Sequence, residues 1–135
     1  MKYVYPAIFS QDENGQYSVF FPDLDGCYTG GNDLPDAIEM AQDALCLFLY
    51  HMEMDKKEIK KPSDVKTIKT EGSEFVSLVS CDTLEYRKYF GKQAVRKTVT
   101  IPAWLNTMAE DADISFSSVL QSGLKKVLGL DTIQQ

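Results

Sequence analysis

Apolar and polar positions alternate near the N-terminus of the chain and then change to a helical spacing. From Tyr3 to Ser10, Tyr3, Tyr5, Ala7 and Phe9 share one face and Val4 and Ile8 the other, which predicts a strand. Asp12-Glu13-Asn14-Gly15 follows, and Asn-Gly suits the positive-φ positions of a tight hairpin turn. Tyr17, Val19 and Phe21 then alternate with Gln16, Ser18 and Phe20 in a second strand that Pro22 ends. Cys27 to Thr29 predicts a short third strand before the breaker Gly30-Gly31. Asp33 is a good N-cap, Pro35 fits a first helical turn, and Asp36 places a carboxylate near free N–H groups. Ala37, Met40, Ala41, Ala44, Leu45, Phe48 and Met52 recur at helical spacing, so a helix is expected from Leu34 to about Met54. Beyond a charged connection at Lys56 to Pro62, Val65 to Thr70 and Phe75 to Cys81 predict two further strands around Glu71-Gly72-Ser73. Residues 1–81 thus read as a β-β-β-α-β-β domain of the α+β class, an antiparallel-rich sheet crossed by one helix.

The polar and aromatic stretch 82–91 reads as a linker or a short helix. Residues 92–130 form a second pattern. Lys92 to Ile101 is a strand, and Pro102 ends it and can open a helix. That helix runs from Ala103 to about Asp111 with Trp104, Leu105 and Met108 apolar, and Asp113-Ile114 turns the chain. Ser115 caps a last helix, Phe116 to Leu128, which Gly129 stops. Gly123 inside it costs about 1 kcal/mol against alanine, so close packing is expected there.

Charge divides the chain in the same place. The net charge of the 135 residues is −6, yet residues 1–80 alone carry −7 and residues 81–135 carry +1. Between Glu85 and Ile101, Arg87, Lys88, Lys92, Arg96 and Lys97 face only Glu85. An acidic half joined to a locally basic half suggests two partners of opposite charge. Cys27, Cys46 and Cys81 are widely spaced, without a C-x-x-C, and read as small buried apolar residues. No apolar run approaches the roughly 18 residues of a membrane span, and the first residues do not resemble a signal peptide. The chain is therefore read as cytoplasmic.

A strand and two helices in about 40 residues cannot bury both helices alone. The unpaired strand also invites pairing with a second copy. An antiparallel two-stranded ribbon made in this way fits the major groove of DNA. The expected dimer core is Val95, Val99, Ile101, Trp104, Leu105, Val119, Leu120 and Leu124. On the opposite strand face, Arg96, Thr98 and Thr100 could read base edges, Arg through a bidentate pair with guanine. A solvated edge strand with ordinary threonine propensity is the alternative. Lys97, with Ser115, Phe116 and Ser117 at the start of the last helix, could meet phosphate, although capping alone would account for Ser115.

Catalysis finds little support. Two-metal phosphoryl chemistry needs several converging carboxylates, and Asp23 and Asp25 stand two apart on a loop with no third acid evidently beside them. His51 is the one histidine, and its spacing from Cys46 is poor for a metal. No catalytic residue, metal or cofactor is expected.

The segment "YPAIFSQDENGQYSVFFPDLDGCYTGGNDLPDAIEMAQDAL" resembles the N-terminal domain of HicB antitoxins, with their Y-P-A hairpin and F-P-D-L-x-G-C block. "KQAVRKTVTIPAWLNTMAEDADISFSSVLQSGLKKVLG" resembles the ribbon-helix-helix tail of one branch of that family. Many relatives carry proline after the Leu of the block where this chain has Asp25, which adds charge to the loop. The resemblance implies a partial RNase H-like N-terminal domain without that enzyme's activity. It also implies a HicA-type partner, a small basic mRNA-cleaving ribonuclease that uses a histidine, and repression of the shared promoter through operator DNA. Toxin contacts are expected at Asp12 and Glu13 on the hairpin and at Asp23 and Asp25 on the loop, from charge and exposure. A ligand-responsive ribbon-helix-helix repressor without a toxin partner is the alternative. A small basic protein that copurifies would separate the two.

Overall fold

A computed structural model describes residues 1–130. They fall into two units, Met1–Gln93 and a second from Ala94 onward.

In the first unit, strands β1 (Lys2–Gln11), β2 (Tyr17–Phe20), β3 (Tyr28–Gly31) and β4 (Phe75–Asp82) form one antiparallel sheet in the order β3-β2-β1-β4. The β1–β2 turn holds one positive-φ residue, Gly15 at 84°. The Gly15 amide bonds the Asp12 carbonyl, and the Asp12 carboxylate accepts from the amides of Asn14 and Gln16 at 2.9 and 3.0 Å. This is a turn closed by a glycine bulge, and Asn14 needs no positive φ in it.

Pro6 lies in a strand with neighbours on both sides, where a missing amide should cost a ladder bond. Odd residues of β1 bond to β4, as the Thr83 amide to the Met1 carbonyl shows at 3.0 Å. The amide that Pro6 lacks would point toward β2, but that pairing covers only Ile8 to Gln11. The proline therefore stands where no donor is required.

Helix α1 (Leu34–Met54) starts as its sequence predicts, with the Asp33 carboxylate accepting from the Asp36 amide at 2.9 Å. Ala37, Ala41, Leu45 and Leu49 form its buried row at four-residue spacing and pack on Tyr5, Ala7, Phe9, Val19, Phe21 and Val79. Met40, which the periodicity also placed inward, is exposed. Gly30 and Gly31 belong to β3 and do not break it. A Cβ on Gly31 would stand 2.4 Å from the Ala37 amide nitrogen, so only glycine lets the helix start this close to the sheet.

One expectation changes. Val65 to Thr70 is not a strand. Val65–Thr67 is a single 3-10 turn whose N-cap Asp64 accepts from the Lys66 amide, so one strand rather than two follows α1. Of the two readings of residues 82–91, a linker or a short helix, the structure takes the helix. Asp82 closes β4 and caps helix α2 (Thr83–Phe90), accepting from the Leu84 amide at 3.0 Å. Glu53 on α1 binds this helix, accepting from Tyr3 (2.7 Å), Thr83 (2.9 Å) and Arg87 (3.1 Å). Burial pushes the Glu53 carboxyl upward, but these three donors outweigh it and hold the group below its ordinary value. Tyr86 packs on Tyr50 and Phe90, and the Arg87 guanidinium lies over the Tyr50 ring.

The second unit holds helices α3 (Ala103–Asp111) and α4 (Phe116–Val127). Ser115 caps α4 through the Ser118 amide, and Gly129, at φ 75°, follows its end. Lys92 to Ile101 has no ladder partner among the described residues and carries no strand. Among the described residues a Cβ on Gly123 would meet nothing within 4 Å, so the close packing expected there is not found among them.

Candidate functional site

The acidic residues assigned to partner contact in the first unit do not stand alike. Asp12, Glu13 and Asp25 are exposed. Asp23 is 6% exposed, which removes the premise of exposure that placed it with the others. Its carboxylate accepts from the Ser63 amide at 2.8 Å and from the Ser63 hydroxyl, tying the β2–β3 loop to the segment after α1. Tyr5 donates to the Lys60 carbonyl beside it, and burial first, then the Asp23 charge, raises its phenol above the ordinary value. In the F-P-D-L-x-G-C block, Phe21, Leu24 and Cys27 are buried core, Asp23 is the tie, and Gly26 turns the chain at φ 87°. Asp25 alone projects from it, onto the rim of a groove of about 720 Å³ between this loop and the C-terminal half of α1, near Leu47, His51 and Met52.

Cys27 and Cys81 are buried and Cys46 partly so, and all three are free thiols. Burial pushes the Cys27 thiol up to about 11 and raises Cys81 as well, so neither is primed as a nucleophile. Among the described residues no three His, Cys, Asp or Glu side chains gather into a metal-holding group. No described helix is long and apolar enough to cross a membrane.

The second unit places its expected residues differently from an ordinary small domain. No residue from Ala94 to Gly129 is buried. Val95, Val99, Ile101, Trp104, Leu105, Val119, Leu120 and Leu124 are all exposed, Trp104 to 64% and Val99 to 63%. Arg96, Lys97, Thr98 and Thr100 are exposed along the extended segment, as are Ser115, Phe116 and Ser117 at the start of α4. The Ser115 hydroxyl oxygen accepts from the Ser118 amide and the Ser115 carbonyl from the Val119 amide, so the amides of Phe116 and Ser117 are the donors that end still offers.

The family described as "HicB_like antitoxin of bacterial toxin-antitoxin system" matches residues 5–124. The chain is 41% identical over 75 residues to Antitoxin HicB 2 of Photorhabdus laumondii, covering 55% of this chain and 48% of that protein, so it spans about half the length of that relative. Its fold is similar to a chain of a toxin-antitoxin complex from Streptococcus pneumoniae (TM-score 0.62, 24% identity, 93% of this chain and 99% of that one). It is also similar to the Burkholderia pseudomallei antitoxin HicB (TM-score 0.53, 19% identity, 93% and 98%). With the family covering both the acidic unit and most of the coreless one, the chain belongs to the HicB-like antitoxins of bacterial toxin–antitoxin systems.

Proposed function

We propose that the chain neutralises a HicA-type, mRNA-cleaving toxin with its first unit. As a dimer through residues 92–130, it binds operator DNA and so controls its own operon. It acts by binding and performs no catalysis of its own.

The observation that carries the DNA-binding part is the second unit, two amphipathic helices and an extended segment without one buried side chain. Fully burying a leucine or valine side chain is worth about 1.5–3 kcal/mol, so leaving eight or more large apolar groups in water is not a stable end state. Pairing Lys92 to Ile101 with the same segment of a second copy satisfies the open backbone groups. It also covers the apolar face and turns Arg96, Thr98 and Thr100 outward as a ribbon. Family membership and the likeness to a chain from a toxin–antitoxin complex support the toxin part. The acidic first unit supports it physically, because carboxylates on an exposed hairpin and loop steer a cationic partner.

The test is coexpression with a HicA-type toxin, followed by copurification, RNA cleavage and operator gel-shift assays. Cleavage should stop when the two proteins bind, and the promoter fragment should shift. Unimpeded cleavage, or a shift that is the same for any DNA, defeats the corresponding part.

A further inference from the structure

Helix α1 runs along the edge strand β4 with one side of its surface. Gln42, Cys46 and Tyr50 lie four residues apart and so share that side. Gln42 donates to the Ser80 carbonyl at 3.2 Å, and the Tyr50 ring packs on Tyr86 with centroids 5.3 Å apart. Cys46 stands between these two contacts, beside Cys81, the residue that follows Ser80. In β4, Val79 and Cys81 are buried while Ser80 between them is exposed, so the Cys81 side chain faces the helix. Burial first, and then a hydrogen bond between the two thiols, raises the Cys81 group above its ordinary range. Both cysteines line a groove of about 810 Å³ between β4, α1 and α2. Cys81 is buried and Cys46 only partly so, which means that a small reagent entering the groove reaches Cys46 first. Cys27 stands apart from this pair. Its Sγ donates to the Ala44 carbonyl at 3.9 Å, and it precedes β3, the opposite edge strand of the sheet.

We propose that Cys46 and Cys81 are a reversible redox pair, joined in a disulfide when a peroxide enters the groove. The Cys46 sulfur attacks one peroxide oxygen, the O–O bond breaks, water leaves and Cys46 becomes a sulfenic acid. The Cys81 sulfur then attacks the Cys46 sulfur and the S–O bond breaks. The departing hydroxide leaves with the Cys81 proton as a second water. Two thiols and one hydrogen peroxide thus give one disulfide and two waters. Cys81 needs no priming toward free reagents, because its single target is held against it. A small thiol reverses the bond by exchange. The disulfide closes the loop from Cys46 to Cys81, which contains the whole connection after α1, and ties the long helix to the edge strand. Such a link constrains the unfolded chain, so oxidation steadies the first unit. The inference stands apart from toxin and DNA binding and survives the failure of either.

The experiment treats the full-length protein with hydrogen peroxide, counts the remaining thiols and locates any bond by mass spectrometry of the unreduced digest. Wild type and Cys27→Ser should each lose two thiols and yield one linked pair of peptides holding Cys46 and Cys81. Cys46→Ser should yield no such pair. The unfolding constant of oxidised wild type, from urea melts, should fall by about tenfold or more and return with dithiothreitol. Wild type carries the test by itself if a serine variant fails to fold. Three free thiols after treatment overturn the proposal, as does a sulfinic acid at Cys46 with Cys81 still free. So does a bond that forms to Cys27 or between chains instead, or a Cys46–Cys81 bond that leaves the unfolding constant unchanged or raises it.

Discussion

The Arg87 guanidinium donates to the Glu53 carboxylate at 3.1 Å and so fastens the helix after the last strand to the long helix that crosses the sheet. Arg87 is well exposed, and a solvent-screened pair of this kind is worth about 0–1 kcal/mol. Glu53 matters more, because Tyr3 loses its acceptor with it and Thr83 is left with only the Met1 carbonyl at 3.2 Å. Arg87→Ala should lower stability by less than about 1 kcal/mol. Glu53→Ala should cost roughly 2–3 kcal/mol in urea unfolding, since it strands the partly buried Tyr3 hydroxyl. Equal effects would show that Arg87, not the buried hydroxyls, dominates the cluster.

The same carboxylate makes stability depend on acid. Its folded value lies below the ordinary 4.5, so on acidification the unfolded chain takes up the proton first. The contribution is complete above pH 4.5 and disappears as pH falls through the lower folded value. Urea midpoints of wild type should drop more steeply below that pH than those of Glu53→Gln, and parallel curves would remove Glu53 as the cause.

Gly31→Ala should be among the most damaging single substitutions in the first unit. Its Cβ would press within 2.4–2.9 Å of the backbone of Asp36 and Ala37, which cannot rotate away. The start of α1 must shift, at a cost of about 1–3 kcal/mol or more. Gly123→Ala meets open space and should gain a few tenths to about 1 kcal/mol of helix stability. Loss of dimerisation in Gly123→Ala would show that a second copy packs against that glycine. Thermal melts and sedimentation of both variants decide it.

Asp23 and its acidic neighbours should separate stability from binding. Asp23→Ala removes the acceptor of two Ser63 donors and should cost about 1–3 kcal/mol. The folded fraction should still bind toxin normally. Glu13→Lys and Asp25→Lys should leave the melt nearly unchanged and slow toxin association, most visibly at low salt. Calorimetry and stopped-flow binding would show it, and unchanged association in both lysine variants would exclude the hairpin and loop as the steering surface.

Under the proposed ribbon, Arg96→Ala should lose about 1–3 kcal/mol of base discrimination per half-site and relax sequence choice, while toxin binding survives. Lys97→Ala should weaken specific and random DNA alike and flatten the salt dependence. Operator titrations at two salt concentrations distinguish them, and an Arg96→Ala protein as selective as wild type defeats the face assignment.

Elements whose pattern and punctuation agree were legible in the sequence. The hairpin, α1 with its Asp33 cap, and the inward row of β1 follow from alternation, spacing and capping alone. Val65 to Thr70 misled because β-branched residues gave strand propensity without strand context. Asp64 bends that segment into a turn, and β4 finds its partner 66 residues away in sequence at Phe9, which no local pattern encodes. The start of α2 had a readable signal in Asp82 followed three residues later by Glu85, the spacing of a capping box, whereas its hold on α1 through Glu53 had none. Asp23 looked like its exposed neighbour Asp25, and only the return of Ser63 to the loop separates them.

A tail with no interior of its own ties its order to abundance. If its fold is completed by a second chain, half-dissociation occurs at a fixed number of molecules per cell volume, and dilution melts the tail while the first unit, with its own core, stays intact. Thinning of the protein would then release DNA and open the tail to proteases before toxin capture fails, so a falling antitoxin level would restart its own synthesis while the remaining molecules still hold their target.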